Sequence, residues 1–301
     1  MIEKYVVSKR NLEGVGLSGM RFSLFWLAFP VSVILLACVF IIVLINGVVS
    51  HDAYWMSQQE LFLQLNDILS FVPSAVWASI TLLGDASVLL PLLFLITIRV
   101  RQAWMAMLGS IPFAVLSSAL CKKLAAMPRP AAVLDTNDFS MIGGTLSGYN
   151  SLPSGHTITV FAASVAILVT LIPQFNKRRE IICVALGLLL AGVVGLSRIA
   201  VGAHWPLDVL MGAGIGALAG LSGAVLALRR KWYALESTQG RGIVLLLLTA
   251  FSGSLVFRIV ENTSSEMMFW LAVAACFVLF LHLLLEEKVS IKVVVLKHKS
   301  I

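Results

Sequence analysis

Residues 181–228 read IICVALGLLLAGVVGLSRIAVGAHWPLDVLMGAGIGALAGLSGAVLAL. Two apolar runs, 181–200 and 206–228, flank a short segment that carries Ser197, Arg198, His204 and Asp208. A bilayer core about 30 Å thick is crossed by about 20 apolar residues in helix. Both runs reach that length, and both are continuous where a barrel strand would alternate. Backbone groups in lipid must bond within their own segment, so each run is expected to be a helix.

The same length test, applied outward, gives further runs at 22–49, 86–100, 103–126, 156–173, 242–259 and 267–285. The first is too long for a signal-peptide core and has no small-residue cleavage pattern after it, so it is expected to be a retained anchor. Residues 62–84 mix Leu63, Ile68, Leu69 and Val72 with Gln64, Asn66, Asp67 and Pro73, which suits an interfacial or re-entrant helix better than a span. The composition agrees with a membrane chain. Of the 301 residues 59% are hydrophobic and only 12% charged, and the mean hydropathy is +0.97. A soluble domain, a disordered chain and a secreted disulfide scaffold are thereby excluded. Cys38, Cys121, Cys183 and Cys276 form no CxxC pair and read as small hydrophobes. The expected fold is an all-α polytopic membrane bundle, with an N-terminal segment (1–21), a membrane core (22–228), a membrane extension (229–285) and a tail (286–301) that is in part extended on the membrane surface.

The net charge of +7 is topological. Lys4, Lys9, Arg10, Arg21, Arg99, Arg101, Lys177, Arg178, Arg179, Arg229, Arg230, Lys231, Arg241, Lys288, Lys292, Lys297 and Lys299 fall on one side of an eight-span chain, and they are 17 of its 22 Lys and Arg. By the positive-inside rule that side, with both termini, is the cytoplasm. No motif supports a nucleic-acid partner.

Five cations break the rule: Lys122, Lys123, Arg129, Arg198 and Arg258. Cations held near apolar helices call for anionic partners. Four of them lie in two short segments that emerge on the same, outer side: Lys122-KLAAMP-Arg129-Pro130 and Ser197-Arg198-IAVGA-His204-WPL-Asp208. Pro153-Ser154-Gly155-His156 opens a helix on that side as well. Arg grips phosphate oxygens in a bidentate fork, and Lys acts as a point charge. Free N–H groups at the helix start after Ser154 and Gly155 form an anion site. His204 and Asp208 are four apart at a helix start, so their side chains share one face, and Pro206 suits the first turn. A carboxylate bonded to an imidazole fixes its tautomer and raises its basicity, which is how a nucleophile is oriented.

The three segments resemble the signature motifs of the type 2 phosphatidic acid phosphatase family, integral-membrane enzymes related to vanadium haloperoxidases. The pattern K-x6-R-P, P-S-G-H, S-R-x5-H-x3-D is complete and in order, within a likeness that covers residues 86–228. The resemblance implies a six-helix phosphatase core, which the last two spans extend. It implies that His204 attacks phosphorus and becomes phosphohistidine, that Asp208 holds His204, and that His156 protonates the leaving oxygen and then activates water. Lys122, Arg129, Ser154, Gly155 and Arg198 would bind the phosphoryl oxygens. It implies no metal and no other cofactor. The partners would be the bilayer and a lipid phosphate or diphosphate, met at the outer face of the inner membrane. Undecaprenyl diphosphate is the first candidate, ahead of phosphatidylglycerol phosphate, phosphatidic acid and lipid A, the last in hydrolysis or phosphate transfer. A transporter of phosphorylated lipids is the rival from another class.

Other polar residues have plainer readings. Ser197 is expected to be structural, Lys123 to snorkel, and Arg258 to pair with Glu261. His51, Asp52 and Glu60 read as solvated loop groups, and Trp77 and Trp205 as interface anchors. The long connection 131–152 reads as a lid over the site that helps choose the substrate, and that a Gly/Ser linker could replace with more effect on selectivity than on folding.

Overall fold

The computed structural model describes residues 51–98, 100–144, 146–171, 177–230, 238–261 and 267–298, with Phe29, Ser32, Val33 and Leu36. The expected anchor at 22–49 and the N-terminal cations lie outside the described residues, apart from those four positions. All regular structure among the described residues is helical: α1 (His51–Ser70), α2 (Ser74–Leu82), α3 (Ala86–Ile96), α4 (Arg101–Ala125), α5 (Pro130–Val133), α6 (Gly155–Leu171), α7 (Lys177–Ala200), α8 (Pro206–Arg230), α9 (Thr238–Val260) and α10 (Met267–His298). The protein is a multi-span membrane helix bundle. Five stretches are long and apolar enough to cross a membrane: Arg101–Val133, Arg178–Ala200, Pro206–Leu228, Gln239–Val260 and Met267–Leu285. The α1–α2 pair, bent by 110°, would make a sixth.

The chain forms two compact units, one of residues 1–84 and 102–232, the other of 85–101 and 233–301. In the first, α8 packs on α6 through small residues. A Cβ at Gly216 would lie 2.5 Å from the Ile158 carbonyl oxygen, and one at Gly212 2.8 Å from that of Ser154. Gly220 meets Ala162 in the same way, and Gly223 meets Ala106 on α4. Close backbone approach of this kind is how helices associate in a membrane, where burial of apolar surface gives no drive. The helix α7 turns Ile181, Ile182, Leu186, Leu188, Leu189 and Leu190 outward, as a lipid-facing surface requires.

The expected interfacial or re-entrant element is the α1–α2 pair, broken at Pro73. It begins earlier than the apolar pattern suggested. His51, Asp52 and Glu60 are exposed as expected, but on α1 and not in a loop. The buried stripe of α1 is Tyr54, Gln58, Phe62 and Asn66, four residues apart, and only one of them is an unambiguous hydrophobe. Gln58 receives the Leu207 N–H at 2.9 Å. Asn66 Nδ2 donates to the Ile199 and Ala200 carbonyls at 2.9 and 3.2 Å, which satisfies the C-terminal end of α7. The two tryptophans are core residues, not interface anchors. Trp205 is fully buried, edge-on to Phe62, and gives its Nε1–H to the Pro128 carbonyl at 2.7 Å. Trp77 donates to the Leu69 carbonyl at 2.8 Å. A buried indole needs such an acceptor.

In the second unit α3 packs with α9 and α10. The run expected over 86–100 is helical only to Ile96, 11 residues and too short for a span. Asp85 caps it by accepting the Ser87 N–H at 2.9 Å. Arg258, expected to pair with Glu261, has Asp85 as its partner at 2.8 Å and lies over the Phe269 ring. The helix α10 runs on to His298, so 286–298 is helical where a partly extended tail was expected.

The glycine face of α8 gives a direct test. Gly216→Ala and Gly220→Ala should each lower the apparent Tm in detergent, since overpacking costs about 1–3 kcal/mol. Gly253→Ala on α9, where a Cβ meets nothing within 4 Å, should leave the Tm unchanged or raise it. Equal Tm values for all three would show that the close approach does not hold the bundle.

Candidate active site

Trp205 caps α8, Pro206 is its first residue, and Asp208 closes the first turn. The Asp208 side chain reaches back to the Trp205 N–H at 2.9 Å, as the acidic member of a capping box does. This fixes the carboxylate beside His204, whose Nδ1 is 3.2 Å from Oδ2. Two more hydroxyls converge on the same group. Tyr54 donates to Oδ1 at 2.6 Å and Ser151 to Oδ2 at 2.5 Å. Asp208 and Ser151 are fully buried and His204 is 2% exposed. A carboxylate facing Nδ1 places the proton on that nitrogen and leaves the Nε2 lone pair for chemistry. Burial holds the His204 imidazole down to about 4; Asp208 opposes the shift, and Arg198 and Arg129 add to it.

The segment Pro153–His156 is tied to this turn. Ser154 N–H donates to the Asp208 carbonyl at 3.0 Å. The Ser154 hydroxyl accepts from Thr157 Oγ1 at 2.9 Å and, at 3.5 Å, from the Thr157 N–H. Both the Ser154 N–H and its hydroxyl oxygen therefore serve the fold, and only its O–H proton is left to meet an anion. Gly155 and His156 follow, half-buried, at the start of α6. A Cβ at Gly155 would meet the Lys122 ammonium at 3.7 Å, which brings the first motif to the second. His156 is packed on Gly84, where a Cβ would lie 2.6 Å from the His156 Cβ.

Cations surround the pair. Arg129 is 8% exposed; its Nε donates to Asn150 Oδ1 at 2.8 Å and its Nη1 to the Ala203 carbonyl at 3.2 Å. Arg198 Nη1 donates to Thr81 Oγ1. Lys122 lies in the field of Arg129, Arg198 and Asp208, and His204 in that of Asp208, Arg198 and Arg129. All eight residues singled out in the sequence are thus brought into one region. Ser197 is buried and bonds the Val194 carbonyl, which fits its structural reading. Lys123 is exposed.

The sequence reading missed Tyr54, Thr81, Gly84, Asn150 and Ser151. Ser151 and Asn150 sit just outside the P-S-G-H tetrad, where their position was the one available signal. Tyr54 on α1, Thr81 on α2 and Gly84 just after it lie in a stretch with no motif. The connection 131–152, expected to be a lid, is part of the core. Phe139 packs edge-on to Phe62, Ser140 exchanges hydrogen bonds with Asn66, and Gly148 accepts the Arg129 N–H at 3.0 Å. A Gly/Ser linker in its place would remove core contacts, so fold and selectivity could not be separated that way. Leu146 and Tyr149 are exposed on its later part.

Residues 103–234 match the PAP2 superfamily. The chain is similar to the lipid A 1-phosphatase of Porphyromonas gingivalis, 41% identical over 71 residues, which are 24% of this chain and 15% of that one. It is similar to the bacitracin transport permease protein BcrC of Bacillus licheniformis, 46% identical over 72 residues, 24% of this chain and 31% of the other. Against the phosphatidylglycerophosphatase B of Bacillus subtilis it is 29% identical over 153 residues, 48% of this chain and 70% of the other. The chain thus spans less than a third of the length of the first two.

The depressed His204 sets a pH window for stability. In the unfolded chain a histidine takes up its proton near pH 6.5, whereas folded His204 stays neutral down to about 4. Its contribution is complete above pH 6.5 and is lost as pH falls toward 4. The apparent Tm should therefore drop less between pH 7 and pH 4.5 in His204→Gln than in the wild type. An identical drop would mean that His204 is not held neutral.

Proposed function

We propose, from the match of residues 103–234 to the PAP2 superfamily, that this chain is an integral-membrane phosphatase acting on a lipid phosphate or diphosphate. The observation that carries the reading is the buried His204–Asp208 pair facing two arginines and a lysine. A protein that only binds an anion needs the cations but not an oriented, neutral imidazole.

In the proposed reaction His204 Nε2 attacks phosphorus as the bond to the leaving oxygen breaks. His156 gives its proton to that oxygen. His156 then takes a proton from water, the water oxygen attacks phosphorus, the N–P bond breaks, and inorganic phosphate leaves. Lys122, Arg129 and Arg198, with the Ser154 hydroxyl and the Gly155 N–H, hold the phosphoryl oxygens and offset the transition-state charge. Phosphoryl transfer draws most of its acceleration from positioning and charge stabilisation, and these cations supply both without a metal.

We assign the site to the outer face of the inner (plasma) membrane by the positive-inside rule, because Arg101 opens α4 and Lys177, Arg178 and Arg179 open α7, at the ends opposite Lys122 and Arg198. Undecaprenyl diphosphate is the first substrate candidate; the names of two similar proteins support lipid A and phosphatidylglycerol phosphate, and phosphatidic acid completes the set. The name of a third similar protein, a transport permease, favours a second reading as a transporter of phosphorylated lipids.

Phosphate release by the detergent-purified protein in EDTA, on those four lipids, separates the readings. Release is expected to persist in EDTA and to fall by about 10³-fold or more in His204→Ala, while lipid still binds. Full turnover in that variant would remove the mechanism. Binding without release of phosphate from any lipid would favour transport.

A further inference from the structure

Asp208 is held by more than its histidine. Its two shortest bonds, 2.6 Å from Tyr54 to Oδ1 and 2.5 Å from Ser151 to Oδ2, are in the range of charge-assisted O–H···O⁻ bonds, whereas His204 Nδ1 is 3.2 Å away. The position and rotation of the carboxylate therefore follow the two hydroxyls and the Trp205 N–H, and the imidazole aligns to a carboxylate already fixed. Ser151 also lies 3.4 Å from His204 Nδ1, so it lines the pair directly. Tyr54 is fully buried, 154 residues from Asp208 and outside the matched residues 103–234.

We propose that Tyr54 and Ser151 are positioning residues of the phosphatase, which set the rotation of the Asp208 carboxylate and thereby aim His204 Nε2 at phosphorus. The proposal rests on the phosphatase reading above. Neither residue is proposed to touch the substrate. Tyr54 occupies Oδ1, which directs Oδ2 to the histidine. Ser151 holds Oδ2 from the side of the connection that leads into Pro153–His156, so the spacing between His204 and the segment carrying His156 is set through one atom.

The same helix supplies its own control. Asn66, further along α1, joins it to α7 by donating to the Ile199 and Ala200 carbonyls at 2.9 and 3.2 Å. The test measures kcat, KM and apparent Tm for Tyr54→Phe, Ser151→Ala and Asn66→Ala beside the wild type and His204→Ala. A misplaced nucleophile loses about 10- to 100-fold in rate. Tyr54→Phe and Ser151→Ala should each lose kcat in that range with KM within about threefold of wild type. Asn66→Ala should lower the Tm but keep kcat within about threefold. Wild-type kcat in Tyr54→Phe and Ser151→Ala overturns the proposal. So does an equal loss of kcat in Asn66→Ala, which would make the effect one of helix docking, and so does a raised KM at constant kcat, which would make the residues substrate contacts. If Tyr54→Phe does not fold, Ser151→Ala carries the same decision. A wild-type protein that releases no phosphate, or a His204→Ala variant that still does, fails the phosphatase reading itself, and is told apart from these outcomes because no hydroxyl variant is involved.

Discussion

A fully buried carboxylate, Asp208, is the constraint on which the first unit depends. An ionised carboxylate only accepts, and left without donors in a low-dielectric interior it would be prohibitively unstable. Four donors meet it, from four places in the chain: Tyr54 on α1, Ser151 in the connection after α5, His204 before α8, and the Trp205 backbone at the helix cap. None of the four can move far without unmaking a buried hydrogen bond. The Asp208 backbone carbonyl adds a fifth tie, to Ser154 N–H. One residue thus fixes where α1, α6, α8 and the long connection come together.

That tie is possible because α8 lacks side chains where it faces α6. Gly212 lies one turn after Asp208, and a methyl there would strike the Ser154 carbonyl. Gly216 and Gly220 repeat the arrangement down the helix. Small residues every four positions are commonly read as an association motif of membrane helices. Here they also have a chemical consequence. They let the start of α6, with Gly155 and His156, come within hydrogen-bonding reach of the turn that carries the nucleophile candidate.

Much of this was legible in the sequence, and the failures have common causes. The apolar runs gave α4 and α6–α10 because lipid forces continuous hydrophobicity on a helix. The structure brings Lys122, Arg129, Ser154, Gly155, His156, Arg198, His204 and Asp208 into one region, which the sequence foreshadowed because they are either close along the chain or on one side of the expected topology. Tyr54 was not, because its partner is 154 residues away and no local pattern encodes that distance. The helix α1 was obscured for a different reason: its buried stripe holds Gln58 and Asn66, whose amides satisfy backbone groups of other elements and depress the hydropathy. Trp205 and Trp77 were misplaced because an indole suits two environments, the membrane interface and a core with one buried acceptor, and only the Pro128 and Leu69 carbonyls decide between them.

The electrostatics of the site follow from the same burial. Desolvation keeps His204 neutral, and the nearby Arg129 and Arg198 push in the same direction as burial. An imidazolium there would be a further positive charge in a region that already holds Lys122, Arg129 and Arg198 beside Asp208. The cations therefore act twice. They leave the imidazole with its lone pair, which the proposed nucleophilic attack needs, and they offer positive charge to the phosphoryl group proposed to bind there. Arg129 meets that demand with its backbone and its Nε already held by Gly148 and Asn150, so its guanidinium is set before any ligand arrives. Donors fixed in advance need no reorganisation as charge develops, and that is the condition under which electrostatic stabilisation of a phosphoryl group is largest.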